Sequence, residues 1–314
     1  MKLHSILPLA AATTLLAAVA FTLPNPTFAQ DRETSRHSHS FSAHNDSPVA
    51  DCSGLHIRMD HQDATIQSEE RNWPRSQAPV LRMEEKSNGG VQLQGWDQNT
   101  YSVTTCKAAV GNNAQQLLSQ IKVSVNNGEV SVSGPEQQDD WTVFLLIRTP
   151  RNAEMDLTTR NGPISFYSVD GKIASRATNG PISMKDCSGE AEINATNGPI
   201  SFIGSNGKLR IHTQNGPISI SLNDKWNGSE LVADAVNGPV TLSVPAGFQS
   251  SFVVESSGNG PVSCQASVCG QSRKTWDEDH KRIEFGSGSP VIHLSTVNGP
   301  VSVRNSHPAT SSDD

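Results

Sequence analysis

The sequence predicts an all-β fold: a single-stranded β-solenoid (β-helix) with Asn-Gly-Pro corners, preceded by irregular β-strands and one short helix. Three observations predict it. The tripeptide Asn-Gly-Pro recurs seven times, at successive spacings of 18, 18, 18, 22, 22 and 39 residues. A period near 20 marks a stacked-repeat architecture. Apolar and polar residues alternate on both sides of each copy, the period-two pattern of half-buried strands. Composition agrees: only 5% of the 314 residues are aromatic, with 24 Gly and 18 Pro, which favours short strands and tight turns over a helical bundle. The formal net charge of −7 speaks against a nucleic-acid-binding surface.

Residues 1–29 read as a signal peptide. Lys2 supplies the positive start, an apolar run from Ile6 to Leu23 follows, and Thr27-Phe28-Ala29 offers a small-x-small cleavage site before Gln30. No Cys follows the apolar run at the place a lipoprotein anchor needs one. The expectation is export, to the periplasm, the cell surface or the medium, with no membrane span after signal cleavage.

Residues 30–77, rich in Ser, His, Asp and Gln, read as a flexible lead-in. Its histidines (His37, His39, His44, His56 and His61) could catch a metal ion weakly, but the favoured reading is a solvated linker. A metal site needs ligands on a rigid support. No metal and no cofactor are expected.

From residue 78 strands are expected. Val80–Met83, Val91–Gln94 and Tyr101–Cys106 carry strand-favouring residues. Asn113–Gln120 is the one convincing helix. Ile121–Val125 and Val130–Val132 flank Asn126-Asn127-Gly128, a hairpin signal. Val143–Ile147 is apolar on both faces, so a strand buried on both sides is expected, ended by Pro150.

The regular repeats run over 151–304. Their corners are Asn161-Gly162-Pro163, Asn179-Gly180-Pro181, Asn197-Gly198-Pro199, Asn215-Gly216-Pro217, Asn237-Gly238-Pro239, Asn259-Gly260-Pro261 and Asn298-Gly299-Pro300. After the corners, Ile164/Phe166, Ile182/Met184, Ile200/Phe202, Ile218/Ile220 and Val240/Leu242 fall on one face. Before them, Met155/Leu157, Ala191/Ile193, Leu209/Ile211 and Ile292/Leu294 do the same. Ser165, Ser183, Ser201, Ser219 and Ser302 face water. Asn and Gly tolerate positive φ, and Pro fixes its own φ, so the tripeptide turns the chain sharply. An antiparallel meander could use similar turns, but it gives no reason for one residue to recur at equivalent corners. Stacked rungs do, through ladders of Asn and Ser side chains. Phe252 and Val254 are out of phase with the Asn259 corner by one residue, which predicts a bulge there. Looser relatives of the corner occur at Asn88-Gly-Gly-Val and Asn127-Gly-Glu-Val. The 39-residue gap holds a charged insertion, Gln271–Arg282, read as a solvated loop with a binding role as the sharper alternative. Residues 305–314 read as a disordered tail shielding the last rung's edge.

Five cysteines remain after residue 29. Cys264 with Cys269 is the natural short closure and Cys52 with Cys106 the second expected pair, leaving Cys187 unpaired. No spacing fits a zinc site.

With Gly95-Trp96-Asp97 after an early strand, the Thr149-Pro150 step into the repeats and the Asn-Gly ladder, residues 78–304 resemble the bacterial putative-adhesin family of exported β-solenoid domains. That resemblance implies the fold, and a binding role with no catalytic residues attached.

The residues themselves suggest no enzyme. Glycosidase sites pair carboxylates on one face, whereas Asp156, Asp170, Asp186, Asp224 and Asp234 sit at different offsets from their corners. No nucleophile elbow, zinc-protease helix or phosphate loop is present in the sequence. The expected function is a non-catalytic, exported cell-envelope module, adhesive or structural, with an envelope polysaccharide or a surface protein as partner. The alternative is an envelope scaffold that self-assembles or docks a partner by β-augmentation. A polysaccharide-acting β-helix enzyme ranks third.

Overall fold

The computed structural model describes residues 39–43, 47–136, 139–258, 260–277, 280–287 and 291–306. The segment 1–29, expected to be a signal peptide, and His37, His44, Asn259 and residues 307–314 lie outside the described residues. Among the described residues the fold is mostly β, with one α-helix at Ala114–Gln120 and two large sheets of 12 and 11 strands.

The repeats build the middle of both sheets. Strands that precede a corner form one, the upstream sheet: Glu154–Asn161, Lys172–Asn179, Glu190–Asn197, Lys208–Asn215 and Glu230–Asn237 pair in parallel, each with the next. Strands that follow a corner form the downstream sheet: Ile164–Tyr167, Ile182–Lys185, Ile200–Gly204, Ile218–Leu222 and Val240–Val244 do likewise. The register is one repeat, so Asn161 faces Asn179 and Ile164 faces Ile182. The inward residues of both sheets join one core, in which Leu157, Ile164, Phe166, Ile193, Phe202 and Ile211 are at most 1% exposed. Burying each such side chain stabilises by about 1.5–3 kcal/mol.

The corners work differently from the expectation. Among the described corner glycines only Gly162 has a positive φ, 154°. The others are needed for close approach: a Cβ on Gly180, Gly198, Gly216 or Gly238 would lie 2.1–2.2 Å from the carbonyl oxygen of the corner glycine one repeat earlier. Proline fits because its missing N–H is not wanted. The backbone ladder is carried by the Gly N–H, as in Gly198 to Asn215 O at 3.0 Å, and by the residue after Pro, as in Ile200 to Pro217 O at 2.9 Å.

The order of rungs in space departs from their order in sequence. Ile292–Asn298 pairs with Glu230–Asn237 on one edge and with Phe252–Ser256 on the other. Val301–Asn305 likewise lies between Val240–Val244 and Val262–Cys264. The last segment of the chain therefore fills a gap between two earlier rungs. Ser256 faces Thr296, an offset of 40, while Gly260 stacks on Gly299, an offset of 39. One extra residue thus sits between Ser256 and Gly260. Of the expected tail, 305–314, only Asn305 and Ser306 are described, and these do not lie at an open edge: Val301–Asn305 is internal, and Ser306 N–H bonds Val244 O at 2.7 Å.

Beyond the repeats, Val80–Asn88 and Gly90–Trp96 add a rung around Asn88-Gly89-Gly90, in parallel with Glu154–Asn161 and Ile164–Tyr167. Asn127-Gly128 instead closes an antiparallel hairpin, with φ of 49° and 83°. Trp141–Pro150 is buried on both faces except at Arg148.

The reading of residues 30–77 as a flexible lead-in is corrected for its described part. Thr65–Pro74 pairs along its length with Thr100–Ala109 at the edge of the downstream sheet. Leu55–Met59 presents Leu55, Ile57 and Met59 to a second core with Phe144, Leu146 and Ala108. Besides that core, two anchors hold this cover over the outer sheet face. The Cys52–Cys106 disulfide joins it to the sheet. The Gln92 side chain accepts from Val49 N–H and donates to Val49 O, both at 2.8 Å. Those apolar outward side chains would otherwise face water.

Candidate binding face

Because inward residues alternate with outward ones, each rung presents the same kind of side chain at the same place. On the downstream sheet this makes a hydroxyl column, in spatial order Ser165, Ser183, Ser201, Ser219, Thr241, Ser302 and Ser263. Ser183 Oγ donates to Ser165 Oγ at 2.9 Å, and the Thr241 and Ser302 hydroxyls are 3.2 Å apart.

At the corners the asparagines form a ladder. Asn179, Asn197, Asn215, Asn237 and Asn298 each donate Nδ2–H to Oδ1 of the preceding rung, at 2.9–3.0 Å. Each internal amide is both donor and acceptor, which fixes its orientation. Below this ladder, buried Thr296 donates to Gly238 O at 2.9 Å.

The outer face of the upstream sheet is charged and internally neutralised. Its first outward column reads Glu154, Lys172, Glu190, Lys208, Glu230, alternating in sign at every rung. Lys208 is 2.8 Å from Glu190, Arg176 3.0 Å from Asp156 and Arg210 3.1 Å from Glu230. His212 Nδ1 contacts the Asp234 carboxylate. Lys208 holds the Glu190 carboxyl below its ordinary pKa. Alongside lies an open groove of about 450 Å³ crossing several rungs, lined by Arg176, Thr178, Asn194, Thr196, His212 and Gln214 among others. Hydroxyl, amide and guanidinium groups there suit a hydroxyl-rich polymer laid across the strands.

The five aspartates flagged in the sequence are dispersed. Asp156 is engaged by Arg176, Asp234 by His212, and Asp170 accepts from Ser188 at 2.7 Å. Asp186, at φ 53°, and Asp224 lie in the turns on the opposite side of the rungs from the Asn-Gly-Pro corners. Among the described residues no three His, Cys, Asp or Glu side chains group to hold a metal. Cys264 is bonded to Cys269. Cys187 is a buried thiol whose pKa burial pushes up to about 11.

The charged insertion is a strand hairpin rather than a loop. Arg273–Trp276 pairs antiparallel with Lys281–Phe285, which pairs with Phe252–Ser256. It ends the upstream sheet, with Arg273 on Glu284 at 2.6 Å and Arg282 on Glu255 at 3.1 Å. Trp276 is half exposed on that edge strand. The groove and the alternating column went unread in the sequence. The signal was there: Glu154, Lys172, Glu190 and Lys208 stand 18 residues apart, each seven residues before a corner Asn.

No known sequence family and no curated protein matches this chain. Among solved structures it is similar to a putative cell adhesion protein from Clostridium sporogenes, at 9% identity and a TM-score of 0.33, over 77% of this chain and 100% of that one. A putative adhesin from Bacteroides fragilis matches at 10% identity and a TM-score of 0.28, over 76% and 97%. A putative lipid binding protein from Parabacteroides distasonis matches at 9% and 0.20, over 77% and 97%. Likeness this loose leaves the chain's own geometry to carry its function.

Proposed function

We propose that the chain is a two-sheet β-solenoid that is exported and acts at the cell envelope as a non-catalytic binding module, adhesive or structural. One observation carries the reading: in-register columns of hydroxyl, amide and paired charged groups repeat along the outer faces, one rung every ~4.8 Å. Such a face meets an extended polymer with many equivalent weak bonds, and an envelope polysaccharide is the partner that suits it. The engaged state of Asp156, Asp170 and Asp234 supports binding without turnover. The test is an array of envelope glycans and cell-wall fractions, scoring retention and product release together on the wild-type chain and on Thr196→Lys in the groove. Retention without release, weakened by Thr196→Lys, is expected. Released product, or no retention of any polymer, sinks the reading.

A second reading, docking of a partner strand, is favoured by the edge strand Arg273–Trp276, which is exposed along its whole length. Thr275→Pro would abolish such docking. A partner captured equally by wild type and variant would eliminate it.

A further inference from the structure

We propose that the gap between the rung of Glu230–Val244 and the rung of Phe252–Cys264 is a strand-exchange site, and that its second occupant is the 291–305 segment of another copy of this chain. The inference is independent of what the outer faces bind.

The argument starts from chain order. Residues 252–285 are made before the segment that will separate them from the preceding repeats. Until it arrives, each sheet has two facing edges with unpaired N–H and C=O groups, and such edges invite a strand. Repeats made earlier can fold first during synthesis.

The gap is specific for this segment. Ile292, Leu294, Val301 and Val303 are at most 1% exposed in the core. Thr296 donates to Gly238 O, and Asn298 donates to Asn237 Oδ1, both at 2.9 Å. A segment from a second copy brings the same four apolar side chains and the same two donors. Nothing in the gap distinguishes the chain's own segment from its neighbour's.

Reach permits both. Phe285 and Ile292 flank Phe252 on opposite sides, so the connection must span two strand spacings, about 10 Å. Seven residue steps extend to roughly 23 Å. That contour length is about twice what the chain's own gap requires, so the connection does not by itself tie the segment to that gap.

The test uses full-length chains with native disulfides intact. Thr241 and Ser302 are register partners on adjacent strands, at a spacing of about 4.8 Å that a disulfide can bridge. Chains carrying Thr241→Cys alone and Ser302→Cys alone are mixed, unfolded and refolded together at high concentration and low pH, then oxidised. A covalent heterodimer on a non-reducing gel is expected, several-fold above a control mixture of Ser183→Cys with Ser302→Cys. The double variant refolded dilute should instead bridge internally. Equal cross-linking in the control, or no heterodimer where the double variant does bridge, overturns the proposal. Separately, the unmodified chain refolded at high concentration should yield a dimer that persists on dilution. A monomer at every concentration in light scattering overturns it without reliance on thiol chemistry.

Discussion

Replacing Gly198 by Ala tests why the corners carry glycine. The new Cβ would lie 2.2 Å from Gly180 O, and roughly 1 Å of separation must be gained before the atoms reach van der Waals distance. Both sides of this contact are backbone. Gly198 N–H bonds Asn215 O at 3.0 Å, and Gly180 N–H bonds Asn197 O at 3.2 Å, so neither strand yields without loosening a ladder bond. Overpacking costs about 1–3 kcal/mol and a lost hydrogen bond about 1 kcal/mol. The stiffer unfolded chain of the Ala variant returns about 0.4–1 kcal/mol. The expected net loss is therefore about 1–3.5 kcal/mol. Two other glycines separate the causes. Gly247 has φ of 78° and open space around its Cβ position, so Gly247→Ala isolates the backbone cost, about 1–2 kcal/mol. Gly270 has neither constraint, and Gly270→Ala should be neutral or slightly stabilising. Urea unfolding followed by far-UV circular dichroism measures all three. If Gly198→Ala costs no more than Gly270→Ala, close approach of stacked backbones is not what holds glycine at the corner.

Three further outcomes are expected. Removing the Cys52–Cys106 bond by double Ser substitution should cost about 4 kcal/mol, against about 2 kcal/mol for Cys264–Cys269, because the loops close over 54 and 5 residues; equal losses in urea titrations would contradict this. Lys107 and then Arg71 lower the Glu69 pKa, and a depressed carboxyl contributes stability above its unfolded value that is lost as pH falls through its folded one. Glu69→Gln should therefore lower the melting temperature at pH 7 and flatten its decline below about pH 4.3; an unchanged acid slope would contradict the assignment. Deleting residues 291–314 should leave amides of 172–215 protected from hydrogen exchange while those of 230–264 become fast, and uniform protection or uniform loss would both argue against the gap-filling topology.

The repeating part of this architecture was legible because it is local. Each copy states its own inward residues, as Ile200/Phe202 and Leu209/Ile211 do, and a constant spacing of 18 already implies that Asn179 meets Asn197. What escaped was non-local. Spacings of 22 and 39 do not say that Asn298 stacks on Asn237, since either Asn259 or Asn298 satisfies the same local pattern. The choice is made by the extra residue between Ser256 and Gly260 and by the hairpin at Arg273–Phe285, whose pairing is settled only in three dimensions. The cover was missed for another reason. Leu55, Ile57 and Met59 are three apolar positions among His, Arg and Asp, too short a pattern to outweigh the polar composition around it. On the outer faces, Ser183 and Asn197 were read as ladders from their spacing alone, whereas the groove beside His212 needed the neighbouring columns brought side by side.

The sign alternation of Glu154, Lys172, Glu190, Lys208 and Glu230 bears on how a chain of near-identical units counts itself. Any rung could pair with the next but one, since Ile, Ser and Asn recur at the same offsets. That mistake would set Glu against Glu and Lys against Lys, and directly opposed like charges on adjacent strands are unfavourable by about 0.2–1 kcal/mol a pair. The correct neighbour presents the opposite sign, and the next but one the same sign. The column thus acts as a parity check on assembly, penalising a single skipped unit.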